Sequence, residues 1–353
     1  MEHLYAVIMA GGAGTRFWPA SRRARPKQYL AVAGGESLIE ETAARLEGLV
    51  PRENVLVVTA GAQAPLVREC LPSLPARNVL VEPAGRNTAA CVALAAFEIA
   101  RRDPEAVQCV LPADHVIRPA RRFRRSLAAA VAEARRAHGL VTLGIVPDHA
   151  ATGYGYIEQG AKIAEHDGIG VHAVERFVEK PDAQRAREFV ASGRFRWNAG
   201  IFVWETGAIL AAVREHAPAI HAVLERATTP AELERAYREL PSVPVDVAVM
   251  EKASNRSVLP IDYFWSDVGS WASLAEVLEA DADGNCKSGG GELVAEGARG
   301  CVVYGEGGLT ALIGVEDLVV VRAGDTTLVC PKDRAQDVRC IIARLEQHGE
   351  RFL

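Results

Sequence analysis

The chain has 353 residues, 49% hydrophobic and 24% charged, with 45 acidic against 40 basic side chains and a net charge of -5. That composition suits a soluble globular protein with core enough for one large domain and a smaller one, and it excludes a disordered chain or a global positive field for nucleic acid. No apolar run reaches the ~18 residues that span a bilayer, no signal-peptide pattern opens the chain, and seven scattered cysteines form no C-x-x-C pair; the expectation is a cytoplasmic protein without membrane or nucleic-acid partners.

Residues 4–9, LYAVIM, are a short apolar run of the kind that forms a central parallel strand covered on both faces. The run stops at Ala10. Gly11, Gly12, Gly14 and Thr15 follow, small enough for the main chain to approach a ligand, and successive N–H groups in such a loop can point at one anion. Arg16, Arg22, Arg23, Arg25 and Lys27 come next, so the stretch reads as a phosphate cradle in which Arg16 and Lys27 neutralise charge as catalytic side chains. The glycines alone fit a surface turn equally well. A Walker loop is unsupported because Gly14-Thr15-Arg16 stands where Gly-Lys-Ser/Thr is needed, and a dinucleotide fingerprint fails at Arg16, Phe17 and Pro19. Lys27, fixed after a proline and before apolar residues in PKQYL, tips the balance toward a ligand.

Further along, helical spacing follows Ser37 over residues 37–48, and 54–59 and 78–81 read as strands around a helix at 62–71. Residues 82–102 run into a long alanine-rich helix that Asn87 or Thr88 can cap. A strand at 108–111, a helix at 123–138 and a strand at 140–145 complete the alternation. Short connections between alternating elements predict an α/β fold with a doubly wound, mixed and mostly parallel sheet, its ligands at the carboxyl ends of the strands. Asp114 falls at such an end, as a hard oxygen ligand for Mg²⁺ or as a turn aspartate. His115 beside it has the ordinary character of a packing residue.

After residue 145 the pattern changes. TGYGYIEQG, residues 152–160, alternates glycine with aromatics like a strand or hairpin passing close to a ligand. A strand at 171–178 ends at Glu179-Lys180-Pro181, by default a surface ion pair. Asn198 precedes an apolar strand within 196–206, helices over 207–240 form a cover, and 243–255 supplies Asp246, Glu251 and Lys252. Asp267 lies in YFWSDVGSW, where helix capping is its bland role. Beyond 281, short strands at 300–304, 309–313, 318–321 and 326–330 and a helix over 333–348 predict a small β-rich C-terminal domain. The expected division is a catalytic domain over 1–280 and the β-rich domain over 281–353.

GGAGTRFWPASR followed by RPKQYL resembles the signature of the sugar nucleotidyltransferases, and Phe17-Trp18-Pro19 and Pro26-Lys27-Gln28 resemble its mannose-1-phosphate guanylyltransferase branch. The likeness runs from residue 4 to about residue 275. It implies the nucleotide-diphospho-sugar transferase fold, and a nucleotide site in which Gly11, Gly12, Gly14 and Thr15 serve the phosphates while Glu82, Arg86, Asn87 and Thr88 surround a guanine base. Gly155, Glu179 and Asn198 match residues around the sugar, and Lys180 matches a catalytic lysine on the sugar phosphate. Asp114 and Asp267 match a pair holding Mg²⁺ or another divalent cation. The implied reaction joins GTP and mannose 1-phosphate into GDP-mannose and pyrophosphate, and a homodimer is compatible with it. Val247 departs from the family, which usually has an aromatic after the aspartate corresponding to Asp246. The C-terminal strands resemble a truncated left-handed β-helix, without its strict hexapeptide repeat. A nucleotidyltransferase for another base or sugar, and an NAD-dependent oxidoreductase, are the competing readings.

Overall fold

The structure is a computed structural model that describes residues 3–12, 14–227, 229–348 and 350–353. The alternating half runs through β1 (Leu4–Met9), α1 (Leu38–Ala44), β2 (Val55–Ala60), α2 (Ala64–Cys70), β3 (Val79–Glu82), α3 (Asn87–Arg102) and β4 (Val107–Pro112). A short β5 (Val116–Arg118), then α4 (Ala120–Ala137) and β6 (Leu140–Ile145), complete it. Leu4, Ala6 and Ile8 of β1 point into one apolar cluster and Tyr5 and Val7 into another, the two-residue period of a strand buried on both faces. Small side chains let α3 lie close to one of those faces, where Ala89, Ala90, Ala93 and Ala96 are all buried.

The second half supplies β7 (Tyr156–His166), β8 (Ile169–Val178), α5 (Ala183–Ser192) and β9 (Phe195–Glu205). Three cover helices follow, α6 (Thr206–His216), α7 (Pro218–Arg226) and α8 (Pro230–Tyr237), and then β10 (Arg256–Ile261) and β11 (Phe264–Ser266). Among the described residues, nine strands share one sheet in the order β3-β2-β1-β4-β9-β6-β10-β8-β7, while β5 pairs separately with β11. Pairing is parallel across β3-β2-β1-β4 and between β6 and β10, as a doubly wound sheet requires. The sheet is mixed because β9 inserts antiparallel between β4 and β6, and because β7 and β8 form a hairpin. Asp167 and Gly168 at its tip have φ of 49° and 74°, the geometry that Asp-Gly supplies to a two-residue hairpin turn.

Neither capping alternative raised for Asn87/Thr88 and for Asp267 is the arrangement found. Arg86 occupies the N-cap position of α3 with no side-chain cap bond. Asn87 Oδ1 instead accepts from the Thr88 N–H at 2.9 Å, and Thr88 Oγ1 accepts from the Val245 N–H at 2.8 Å, so Thr88 fastens α3 to a distant segment. The helical turn near residue 271 is capped by Ser270, which leaves Asp267 without that structural duty.

After a short α9 (Leu274–Val277), the C-terminal strands are β12 (Cys286–Ser288), β13 (Glu292–Glu296), β14 (Val302–Gly305), β15 (Leu309–Ile313), β16 (Leu318–Ala323) and β17 (Thr326–Pro331), with α10 (Val338–His348) beyond them. Ladders β12-β14-β16 and β13-β15 are parallel, the stacking of successive coils in a β-helix, until β17 turns back antiparallel. Register partners Cys286, Val302 and Val319 lie 16 and 17 residues apart, neither a multiple of six, which is why no hexapeptide repeat is visible.

This coil packs on the loop that follows β1. Trp271 lies with its ring centroid 4.6 Å from that of Phe17 and 5.0 Å from that of Tyr304 on β14, and its indole N–H donates to the Trp18 carbonyl at 2.9 Å. Trp18 Nε1 in turn donates to the Phe352 carbonyl at 2.7 Å. Phe17 and Trp18 are therefore covered by the C-terminal domain, while Gly11, Gly12 and Arg16 stay exposed. Trp271→Ala removes a buried aromatic that both domains share, and should lower unfolding stability by about 3–5 kcal/mol in urea titration.

Candidate active site

The carboxyl ends of β1, β3 and β4 meet the second half of the sheet at a cleft of ≈ 450 Å³. Gly11, Gly12, Glu82, Asn87, Thr88, Asp114, Gly155, Glu179, Lys180, Asn198 and Asp267 all line it. These are most of the residues singled out in the sequence, drawn from stretches up to 256 positions apart, on one concave surface. Gly14, Thr15, Arg16, Lys27 and Arg86 are not in its walls.

The floor is organised by Lys27. A three-residue helical turn beginning at Lys27 directs the side chain inward, where it is buried at 4% exposure. Its ammonium donates to Asp114 Oδ2 at 3.0 Å, to the Asp114 carbonyl at 3.2 Å and to the Asp267 carbonyl at 2.6 Å. Three N–H groups and three acceptors match. Lys27, expected from the sequence to stabilise the triphosphate, here bonds to the two acidic loops. Burial tends to raise the Asp114 carboxyl, but the Lys27 charge, with His115, the Lys27 hydrogen bond and Arg16, outweighs it and holds the group below the usual carboxylate range. Burial lowers His115 against the Asp114 and Asp267 charges, and its Nδ1 accepts from Trp265 Nε1 at 3.3 Å, with the two rings edge-on.

Asp267 Oδ1 accepts from the Tyr154 hydroxyl at 3.1 Å, and burial followed by the Asp267 charge pushes that phenol up. A Cβ on Gly269 would lie 3.0 Å from Asp267 Oδ1 and 3.3 Å from Arg16 Nη1, which puts the Arg16 guanidinium near Asp267. Asp114 and Asp267 are hard oxygen donors in one wall system, and among the described residues no third His, Cys, Asp or Glu joins them in a metal-binding group. That set fits Mg²⁺, which is commonly held by one or two carboxylates with substrate phosphates and water completing its shell, and it does not fit a closed all-protein cage.

Glycines in the walls make room for side chains. Gly14 has φ 59°, and a Cβ there would come 2.5 Å from Lys27 Cβ, so its place is against Lys27 and not in the cleft wall. A Cβ on Gly11 would stand 2.9 Å from Glu82 Oε2, and one on Gly155 would stand 2.7 Å from Glu179 Oε2. Glu82, the last residue of β3, is raised by burial, partly offset by a hydrogen bond from the Tyr237 hydroxyl to Oε1 at 2.7 Å. Arg86 lies outside these walls with its Nε buried and without a hydrogen-bond partner.

On the opposite side, Asn198 sits where the ladder between β6 and β9 shifts register and Gly200 takes φ 64°. Its Nδ2 donates to Asp246 Oδ1 at 2.6 Å, and its Oδ1 accepts from the Gly200 N–H at 3.0 Å. Glu179 Oε1 and Lys180 Nζ pair at 2.7 Å with both side chains partly exposed to the cleft, and Lys180 has φ 40°.

Four contributors carried no role in the sequence reading. Gln28, buried, donates from Nε2 to the Ala10 and Gly12 carbonyls, both at 2.9 Å, and so pins the glycine loop from beneath; the PKQ word was its available signal. Asp246 lines the cleft under Asn198 and is raised by burial first, with the Asn198 hydrogen bond opposing. Tyr154 had a signal in the glycine–aromatic alternation. Tyr237, which holds Glu82, had none, because nothing local links positions 155 apart.

A family model described as Nucleotidyl transferase matches residues 5–284. The chain belongs to the nucleotidyl transferase family. A second model, MannoseP isomerase/GMP-like beta-helix domain, matches residues 291–345, in accord with the coiled parallel ladders of the C-terminal strands. The mannose-1-phosphate guanylyltransferase of Escherichia coli strain K12 is 38% identical over 98% of this chain and 74% of its own length. The alginate biosynthesis protein AlgA of Pseudomonas aeruginosa is 38% identical over 97% of this chain and 72% of its own. A crystal structure from Thermus thermophilus, described as a mannose-1-phosphate geranyltransferase, superposes with a TM-score of 0.90 at 38% identity, covering 98% of this chain and 99% of that one. Family membership leaves the oxidoreductase reading without support. Gly11→Ala should displace Glu82 without unfolding the loop, and about a tenfold loss of GTP affinity in titration calorimetry with a melting temperature near wild type is the expected result.

Proposed function

We propose that the protein is a mannose-1-phosphate guanylyltransferase of the cytoplasm, with residues 1–280 as its catalytic unit and 281–353 as a brace. The observation that carries this reading is the convergence of Glu82, Asp114, Asp267, Glu179, Lys180 and Asn198 on one cleft, in a chain 38% identical to an enzyme of that name over nearly its whole length.

The roles follow from chemical type. Glu82 presents a carboxylate to the two N–H donors on the Watson–Crick edge of guanine, while Asn87 and Thr88 bound the same wall. Gly11 and Gly12 let the main chain approach the triphosphate, with the exposed Arg16, near Asp267, to receive the departing pyrophosphate. Glu179 and Asn198 bind sugar hydroxyls in defined directions, and Lys180 orients the sugar phosphate. Asp114 and Asp267 would hold a divalent cation such as Mg²⁺, which when bound neutralises charge on both phosphates. Lys27 acts through those acids as a positioning residue.

In the reaction, a phosphate oxygen of mannose 1-phosphate forms a bond to the α-phosphorus of GTP. The bond from that phosphorus to the bridging oxygen breaks, and pyrophosphate leaves with the electron pair. A phosphate monoester has a second pKa of about 6, so the nucleophile is already ionised near neutrality and no general base is required. The side chains must instead bring two polyanions into line and offset their repulsion.

Purified protein given GTP, Mg²⁺ and a panel of hexose 1-phosphates should form GDP-mannose faster than any other nucleotide sugar; equal or greater turnover with another base or hexose would replace this assignment. Asp114→Asn keeps an acceptor for Lys27 and should keep the fold. Its kcat should nonetheless fall by about 100-fold or more, and near-normal turnover would remove the metal role.

A further inference from the structure

Tyr237 closes α8, in the helical cover, and is fully buried within the apolar cluster on the α3 face of the sheet. Its hydroxyl nevertheless points out of that cluster to Glu82 Oε1, 2.7 Å away. Glu82 is itself 7% exposed, and its other oxygen, Oε2, faces Gly11 across the space that a Cβ would fill. One carboxylate oxygen is thus held by the cover and the other is turned toward the glycine loop at the cleft wall. A glutamate in so dry a wall has two ways to fail as an acceptor: it can rotate, or it can take up a proton and become a donor. A phenol that donates to one oxygen opposes both, because it fixes the plane of the group and favours its charged form. Cys91, in the same cleft lining, is a buried thiol pushed up by burial and then by the Glu82 charge, and a thiol has no cationic form to offer Glu82.

We propose that Tyr237 is a specificity-determining positioning residue: its hydroxyl holds the Glu82 carboxyl group in one orientation, so that a base is selected by the donors it offers to the oxygen left facing the cleft. The inference rests on the assignment of Glu82 to the guanine edge. Tyr237 touches no substrate, and its influence passes entirely through one oxygen of Glu82. An arrangement of this kind makes recognition of the nucleotide depend on correct docking of the cover helices, since α8 delivers the hydroxyl.

The test compares GTP with ITP, whose base keeps the ring N–H and lacks the exocyclic amine, in the wild type, Tyr237→Phe, Glu82→Gln and the double variant. Phenylalanine fills the same apolar space and removes only the donor. For Tyr237→Phe the expected result is a KM for GTP raised about tenfold, a smaller change in KM for ITP, and a kcat for GTP affected less than either. In the Glu82→Gln background the same substitution should add little to the change in GTP-over-ITP preference, because the path it acts through is already cut. If Tyr237→Phe shifts both nucleotides alike, or alters preference equally with and without Glu82, the hydroxyl is merely structural and the proposal falls. If Glu82→Gln leaves the preference at its wild-type value, the base-site assignment fails first and takes the proposal with it; if Glu82→Gln abolishes the preference and Tyr237→Phe does not, only the role of Tyr237 fails. Should Tyr237→Phe prove too unstable to assay, Tyr237→Met, which fits within the same buried volume and carries no donor, reads the same preference with the same two outcomes.

Discussion

A single buried ammonium sets the geometry of the cleft. Lys27 has almost no contact with water, and an unpaired cation there would be strongly destabilising; the three acceptors from Asp114 and Asp267 are what make its burial tolerable. The same three bonds tie the loop after β1 to the loop after β4 and to the segment after β11, which are 87 and 240 residues away from Lys27. Two acids separated by 153 positions are thereby held to one point. If Lys27 were free to swing into the cleft, the acids would lose both their spacing and the charge that keeps Asp114 ionised.

Fixing that point requires the loop carrying Lys27 to be rigid, and here the C-terminal domain enters the site's energetics without touching the cleft. Phe17 lies between the glycine loop and Lys27 in sequence, and the Lys27 ammonium sits 5.4 Å from its ring centroid. The Phe17 ring is backed by Trp271, four residues beyond Asp267, and Trp271 is backed by Tyr304 on β14. The β-helix therefore presses the Lys27 loop and the Asp267 segment together through one aromatic stack. Ser288 Oγ adds a bond to the Val32 carbonyl at 2.6 Å, and Arg22 reaches Thr326 Oγ1 at 2.9 Å, both from the same stretch of chain. The FWP word in the signature belongs to this interface, whereas Gly11 and Gly12 before it line the cleft.

Much of this was legible in the sequence where one local pattern implied one structure. β1 and β6 begin and end where their apolar runs do, and the alternation of strands and helices fixed the parallel half of the sheet. The antiparallel insertion of β9 was less accessible, since its apolar run reads as a buried strand in either direction. Capping at α3 misled because Asn87 and Thr88 have the right chemistry for a cap, and only the fold reveals that Val245 competes for the Thr88 oxygen. For the site, residues at strand ends were named from their position together with the family resemblance. Lys27 was identifiable as important but its direction was not: a cation in a basic loop looks available for phosphate until the two carbonyls and the carboxylate that consume its hydrogens are known. Tyr237 and Asp246 depend wholly on long-range contact, and an apolar helix end or a lone aspartate gives no local hint of a partner across the cleft.

The glycines of the loop after β1 take on a second meaning in the structure. A glycine-rich loop invites the reading that backbone must approach a ligand, and Gly11 and Gly12 do line the cleft. Yet the missing Cβ at Gly11, Gly14 and Gly155 would in each case intrude on a charged side chain, at 2.9 Å from Glu82, 2.5 Å from Lys27 and 2.7 Å from Glu179. Room for those side chains is thus as strong a requirement as room for substrate. Only Gly14 also needs its positive φ, so alanine at Gly11 or Gly155 meets a steric objection alone, and that objection comes from the end of a carboxylate that can move. Substitution there should alter where Glu82 or Glu179 points before it alters the fold. The contact at Gly14 is with Lys27 backbone and Cβ, which cannot move without releasing both acids, and this makes Gly14 the position at which fold and chemistry are hardest to separate.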